Sequence, residues 1–191
     1  MDPTPADVPL RVAVVIGSTR EGRIGDAVGR WFVTLAERRA DVELEVVDLV
    51  DHVFPARYAT TPETAGFAGL VGRADGFVIV TPEYNRSFPA SLKQAIDHAY
   101  DEWRAKPVGF VSYGYRFAGL HAVEHLRSVF VELHAVTMHT AVHVDLRLGD
   151  VDADPPPNAG RLACEAEAML DQLVWWGLAL REARAARPYV N

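Results

Sequence analysis

The stretch LRVAVVIGSTREGRIG (Leu10–Gly25) decides the fold. Its first half is almost all apolar and rich in β-branched side chains, with Gly17 directly behind. A strand of that composition is buried on both faces, as in a parallel sheet covered by helices. Four further stretches read as strands. They are VELEVVDLV (Val42–Val50), ADGFVIVTP (Ala74–Pro82), PVGFVSYG (Pro107–Gly114) and AVTMHTAVHV (Ala135–Val144), the last polar enough for an edge.

Helical stripes fall between them. Ile24, Val28, Trp31, Phe32 and Leu35 recur at helical spacing, as do Val123, Leu126, Phe130 and Leu133. Thr61-Pro62-Glu63 reads as an N-cap with proline in the first turn, ahead of Phe67, Leu70 and Val71. Leu92, Ala95, Ile96, Ala99, Tyr100 and Trp103 form one stripe, with Ser87 placed to cap it. The last stripe starts at Leu162 and ends in Arg181, Arg184 and Arg187, cations suited to a helix C-terminus.

Strand and helix thus alternate five times. Such alternation predicts right-handed crossovers and one α/β domain. The expected architecture is a flavodoxin-like three-layer sandwich, a five-stranded parallel sheet of order 2-1-3-4-5 with helices on both faces. Residues 10–187 would form it, between a flexible leader (1–9) and a short tail (188–191). Any ligand then belongs at the carboxyl ends of the first and third strands, where the winding reverses.

Composition narrows the function. The chain has 191 residues, 49% of them hydrophobic and 24% charged, enough for a core without disulfides or metal staples. With 26 acidic and 19 basic residues it carries a formal charge of −7, which speaks against nucleic acid or anionic membrane as partners. The one cysteine, Cys164, excludes an intramolecular disulfide; it reads as a packed small residue. The N-terminus MDPTPADVP lacks the basic start and apolar run of a signal peptide, so a cytoplasmic location is expected.

Three loops at the expected crevice carry chemistry. In GSTREGRIG (Gly17–Gly25), small residues let the backbone approach a ligand, and a helix N-terminus points at the same place. Arg20 and Arg23 add positive charge there; the plain alternative is a polar loop with two solvated arginines. The loop is neither G-x-G-x-x-G nor a Walker A element. TPEYNRSFPASLKQAID (Thr81–Asp97) brings Pro82, Glu83, Tyr84 and Asn85 to the crevice, either bordering a planar heterocycle or forming a rigid exposed turn. SYGYRFAGLHA (Ser112–Ala122) brings Gly114, where a flat ligand could approach, beside Tyr113, Tyr115 and Arg116; the alternative is a tight loop.

Together these loops resemble the NADPH-dependent FMN reductase family, and PEYN-x4-LK-x2-ID is the specific part. The resemblance runs from about Leu10 to Val144. It implies bound FMN, a nicotinamide donor (NADPH, with NADH open) and a homodimer or tetramer. It also implies a small-molecule acceptor, such as free flavin, a quinone, an azo or a nitro compound, or a monooxygenase that receives reduced FMN. Carried over by position, Ser18, Thr19, Arg20, Arg23, Ile24 and Gly25 hold the FMN phosphate. Pro82, Glu83, Tyr84 and Asn85 border the isoalloxazine, and Ser112, Tyr113 and Gly114 follow its pyrimidine edge and ribityl side, donating near N1 and O2. The flavin carries the chemistry, so no catalytic acid, base or nucleophile is named. Tyr115 departs from the family, which often has a further glycine there; it would narrow the substrate side. A flavodoxin-like electron carrier or a regulatory module without nicotinamide turnover is the alternative function.

Other features have structural readings. His121 and His125 stand at i and i+4 without a third ligand nearby, so helix packing or solvent is expected rather than metal. His139 and His143 would share one face of the fifth strand. Of Trp175 and Trp176, one ring should pack on the sheet and the other face outward, in a subunit interface or solvent. The acidic run Asp150–Pro155 reads as a solvated loop.

Overall fold

In the computed structural model, residues 8–149 and 158–190 are described. Most of the expected leader, the acidic run Asp150–Pro155 and Asn191 lie outside them. The elements follow in the order β1 (Leu10–Ile16), α1 (Gly25–Ala36), β2 (Val42–Asp48), α2 (Pro62–Arg73), β3 (Gly76–Pro82), α3 (Ala90–His98), β4 (Pro107–Gly114), α4 (Leu120–Glu132), β5 (Val136–Thr137), β6 (Val142–Asp145) and α5 (Ala159–Ala186). All strand pairs are parallel, in the order β2-β1-β3-β4 with β5 and β6 both on the outer side of β4.

Side-chain alternation along the central strands splits the core in two. Leu10, Val12, Val14 and Ile16 of β1 join Val78, Val80 and Val111 under α1 and α5. Ala13 and Val15 join Phe77, Ile79 and Phe110 under α2, α3 and α4, where Trp103 and Phe130 fill the layer. Each buried Val, Leu, Ile or Phe among them stabilises the fold by about 1.5–3 kcal/mol. Helix α5 lies close on β1 because Gly177 has no side chain: a Cβ there would stand 2.4 Å from Leu10 Cδ2. The cap on α2 is as expected, with Thr61 and Thr64 bonding reciprocally.

Four expectations need correction. The fifth strand is not continuous. Thr137 pairs with Val108 and Val142 with Val111, so two extra residues bulge out between the halves. Arg127 of α4 donates to the carbonyls of Met138 and His139, and Gln172 of α5 bonds both the amide and hydroxyl of Thr140. Side chains from two helices thus take backbone groups of the segment that leaves the strand. Likewise α3 stops at His98; Tyr100 is exposed, and Trp103 sits in a separate 3-10 turn with its indole donating to the Ile96 carbonyl. Cys164 faces outward. Neither Trp175 nor Trp176 packs on the sheet; both are exposed and meet edge to face at 4.9 Å.

Candidate functional site

The carboxyl ends of β1, β3 and β4 surround a cleft of about 410 Å3. That is within the roughly 300–1,000 Å3 of ligand clefts. Arg20, Glu21, Gly22, Arg23 and Ile24 line it from the first loop, Pro82, Glu83 and Tyr84 from the second, Tyr113, Gly114 and Tyr115 from the third. Leu146, from the turn after β6, completes it.

The first loop leaves β1 with Gly17 N–H donating to the Val80 carbonyl. The two arginines then differ. Arg23 makes a two-pronged pair with Asp48 at the end of β2 and donates to the Ser18 carbonyl at 2.8 Å. The bond to Asp48 raises the Arg23 pKa, against the pull of burial. Its charge is therefore committed to holding the loop. The exposed Arg20 guanidinium has no carboxylate or hydrogen-bond acceptor among the described residues. Helix α1 starts immediately after. Ile24 stands at its cap position and gives the first turn no side-chain bond, unlike Thr61 on α2. Asp26 in the first turn answers part of the dipole and pairs with Arg30, and the N–H groups it does not take are left to attract an anion.

Beneath the cleft, Ser18 is fully buried and its Oγ meets Tyr84 Oη at 3.0 Å. Tyr113 is buried beside Gly25, where a Cβ would come 2.7 Å from the phenol oxygen. Burial, with the nearby Tyr84, pushes the Tyr113 pKa up, so it stays neutral.

In the second loop, Tyr84 N–H donates to the Ser87 carbonyl and Ser87 N–H to the Tyr84 carbonyl, at 2.8 and 2.9 Å. Asn85 and Arg86 between them have φ of 50° and 66°. Ser87 therefore closes this turn, and Pro89, not Ser87, occupies the cap position of α3. Glu83 Oε2 accepts from His121 N at 3.1 Å and faces His121 Nδ1 at 3.3 Å.

In the third loop, Ser112 is buried with its Oγ 2.8 Å from the Ala118 carbonyl and 2.8 Å from His143 Nδ1. Its hydroxyl faces its own loop rather than the cleft. A Cβ on Gly114 would likewise point at the loop, 3.4 Å from Gly119 N, so the bareness expected to admit a flat ligand faces the protein. His143 is half-buried and held by Ser112, while His139 lies exposed in the bulge; they do not share a strand face. Burial lowers the His143 pKa.

Eight of the expected residues therefore line the cleft: Arg20, Arg23, Ile24, Pro82, Glu83, Tyr84, Tyr113 and Gly114. Ser18, Gly25 and Ser112 are buried and do not line it, and Thr19 and Asn85 are exposed outside its lining. Sequence reading missed Glu21, Gly22 and Leu146. Glu21 and Gly22 lay inside the quoted loop without distinctive chemistry, and Leu146 arrives from a distant turn that no motif marked.

A doubly wound parallel sheet with a cleft at its switch point is a flavodoxin-like α/β protein. The chain belongs to the NADPH-dependent FMN reductase family, which residues 10–147 match. An NAD(P)H-dependent FMN reductase of Schizosaccharomyces pombe is 35% identical over 117 residues, 54% of this chain and 58% of that protein. The chain thus matches rather more than half the length of that relative. A 2-hydroxy-1,4-benzoquinone reductase of a Burkholderia species is 34% identical over 139 residues, 68% of this chain and 75% of that protein. A quinone reductase of Escherichia coli is 33% identical over 142 residues, 68% and 74%. The solved structure of FerB, a flavoenzyme NAD(P)H:(acceptor) oxidoreductase from Paracoccus denitrificans, shares the fold with a TM-score of 0.73 at 22% identity, covering 88% of this chain and 97% of that one. No helix among the described residues is long and apolar enough to cross a membrane.

Proposed function

We propose that the chain binds FMN in this cleft and acts as an NAD(P)H oxidoreductase with a quinone or free flavin as acceptor. One observation carries the reading: Arg20 lacks a carboxylate beside an α1 N-terminus that lacks a side-chain cap. That donor set fits a phosphate monoester, the anionic end of FMN. Bound FMN supplies the hydride- and electron-accepting chemistry.

The chain's own residues bind and orient. Arg20 and the N–H groups of the Thr19–Gly25 loop take the phosphate, except that of Arg23, which donates to the Arg20 carbonyl; Arg23 and Ile24 shape the loop. Ser18 contributes from beneath, held by Tyr84. Pro82, Glu83, Tyr84 and Asn85 border the ring system. Tyr113 and Gly114 follow its other edge, and Ser112 acts by fixing that loop rather than by donating to the ligand. No side chain is assigned as acid, base or nucleophile.

The quinone class is supported by the names of the Burkholderia and E. coli relatives. A homodimer or a tetramer is supported by exposed apolar side chains, among them Val53, Tyr58 and the Trp175-Trp176 pair. Location in the cytoplasm and transfer of reduced flavin to a monooxygenase belong to the same reading.

The test reconstitutes the protein with FMN, removes the excess and records the absorbance spectrum. NADPH and NADH oxidation are then followed with added FMN and with a quinone. Retained flavin or flavin-dependent oxidation supports the reading. Retained FMN with negligible turnover would leave an electron carrier or regulatory module, and silence in both assays would overturn the proposal.

A further inference from the structure

We propose that Arg86 and Arg116 form a second anion site at the rim of the cleft, which takes the 2′-phosphate of NADPH and favours it over NADH. The inference rests on the reading of the cleft as a flavin and nicotinamide site.

The two guanidinium groups share one support. Arg86 Cζ stands 5.6 Å and Arg116 Cζ 5.4 Å from the centre of the exposed Phe117 ring. Neither has a carboxylate within ion-pair distance among the described residues. In a chain of charge −7, most arginines of the folded body do have such a partner.

The neighbouring titratable groups do not cancel this charge. Arg86 Nη2 lies 2.9 Å from His121 Nε2. A guanidinium only donates, so Nε2 accepts and the ring proton sits on Nδ1, facing Glu83 Oε2 at 3.3 Å. Glu83 is thus answered by the His121 ring and backbone N–H, and makes no ion pair with Arg86 or Arg116. His125 on the same helix is turned to Ser87 Oγ. The chain Arg86–His121–Glu83 ties the cationic patch to a residue that lines the cleft.

Backbone geometry says that Arg86 is not there for the turn. Tyr84–Ser87 is a two-residue hairpin with both central φ angles positive, the signature of a type I′ turn. Glycine takes the second central position without strain and arginine does not. A phosphate monoester carries nearly two negative charges and suits two planar guanidinium donors. Arg20 and the α1 N-terminus serve a different loop and are left for the flavin phosphate. An anionic group on the acceptor could meet the same two cations, and ligand competition separates the sources.

The experiment compares the FMN-loaded protein with its R86G and R116A variants. The wild type should have the lower KM for NADPH. Each variant should raise that KM about tenfold or more, the range of a charge-assisted bond, while kcat and the NADH constants change less than about twofold. R86G relieves the left-handed strain, so its melting temperature should not fall. By calorimetry, adenosine 2′,5′-bisphosphate should bind the wild type more tightly than adenosine 5′-monophosphate, and both variants should erase the difference. Equal KM changes for the two nicotinamides, or an unchanged preference for the bisphosphate, would overturn the proposal. A wild type that oxidises neither nicotinamide would defeat the oxidoreductase reading, and the adenosine titration would still decide the anion site.

Discussion

At the amino ends of the strands, Asp75 accepts from Arg11 N at 3.2 Å, Arg181 Nη1 at 3.3 Å and Arg184 Nη2 at 3.2 Å. Arg181 also donates to the carbonyls of Val8 and Pro9, and Arg184 to that of Ala105. The arginines expected only to answer the α5 dipole thus pin that helix to β1, β3 and the approach to β4. Lys106 is buried nearby, donating to the Val71 and Gly72 carbonyls at the end of α2, both at 2.9 Å. At the carboxyl ends the arrangement reverses. Arg20, Arg86 and Arg116 lack carboxylates among the described residues, and α1 has no side-chain cap. The amino end uses its charges to hold the protein together; the carboxyl end does so only with pairs such as Arg23–Asp48 and Arg147–Asp145, and leaves three arginines for something that is not protein.

The sharpest way to break that contrast is Asp75→Ala. It takes the carboxylate from two partly buried guanidinium groups, which keep carbonyl partners, so stability should fall by about 3 kcal/mol in a urea titration of the flavin-free protein. FMN affinity should stay within about twofold. A parallel loss of affinity would show that the two ends are not separable.

Next comes the pair of arginines within one loop. Arg20→Ala should weaken FMN by about 1.5–3 kcal/mol, or about ten- to a hundredfold, with stability changed by less than about 0.5 kcal/mol. Arg23→Ala should lower both, because Asp48 then loses its partner at the end of β2. If Arg20→Ala leaves a flavin titration unchanged, the phosphate binds elsewhere.

These two arginines also mark how far sequence reading reaches. The three central strands, β1, β3 and β4, could be read directly, because a strand buried on both faces must be an apolar run, and the switch point lies between the first two of them. The loops followed from that placement and from the PEYN-x4-LK-x2-ID pattern. What stayed hidden depends on partners far along the chain. Asp48 claims Arg23 from 25 residues away, and Tyr84 reaches Ser18 across 66. Arg127 and Gln172 break the fifth strand from two helices. Trp175 and Trp176 sit at adjacent helix positions, and periodicity could not show that both would turn from the sheet.

A smaller effect tests the amino end by pH. Burial pulls Lys106 from 10.5 down to about 8, with Arg184 acting in the same direction. The unfolded chain therefore binds more protons than the folded one between these values, and stability rises with pH across that window. The neutral amine still has a hydrogen for each of the two carbonyls it caps. Relative to Lys106→Met, the wild type should gain about 1 kcal/mol between pH 7 and 9, read from urea midpoints. FMN affinity should not follow this titration.

The smallest expected effect asks whether a hydrogen bond at the carboxyl end serves the fold or the ligand. Tyr84 Oη and Ser18 Oγ are 3.0 Å apart, joining the loop after β1 to the loop after β3. Tyr84→Phe removes that tie but keeps the ring. Ser18 Oγ then loses its orientation in the loop that the phosphate needs, so FMN affinity should fall by about 0.5–1 kcal/mol, roughly two- to fivefold. Riboflavin has the same ring system without the phosphate, and its affinity should be unchanged. Equal weakening of both flavins would place the contribution of Tyr84 at the ring. Unchanged affinity for both, with lower stability, would make the bond a structural one like those around Asp75, and the contrast between the two ends would then stop short of Ser18.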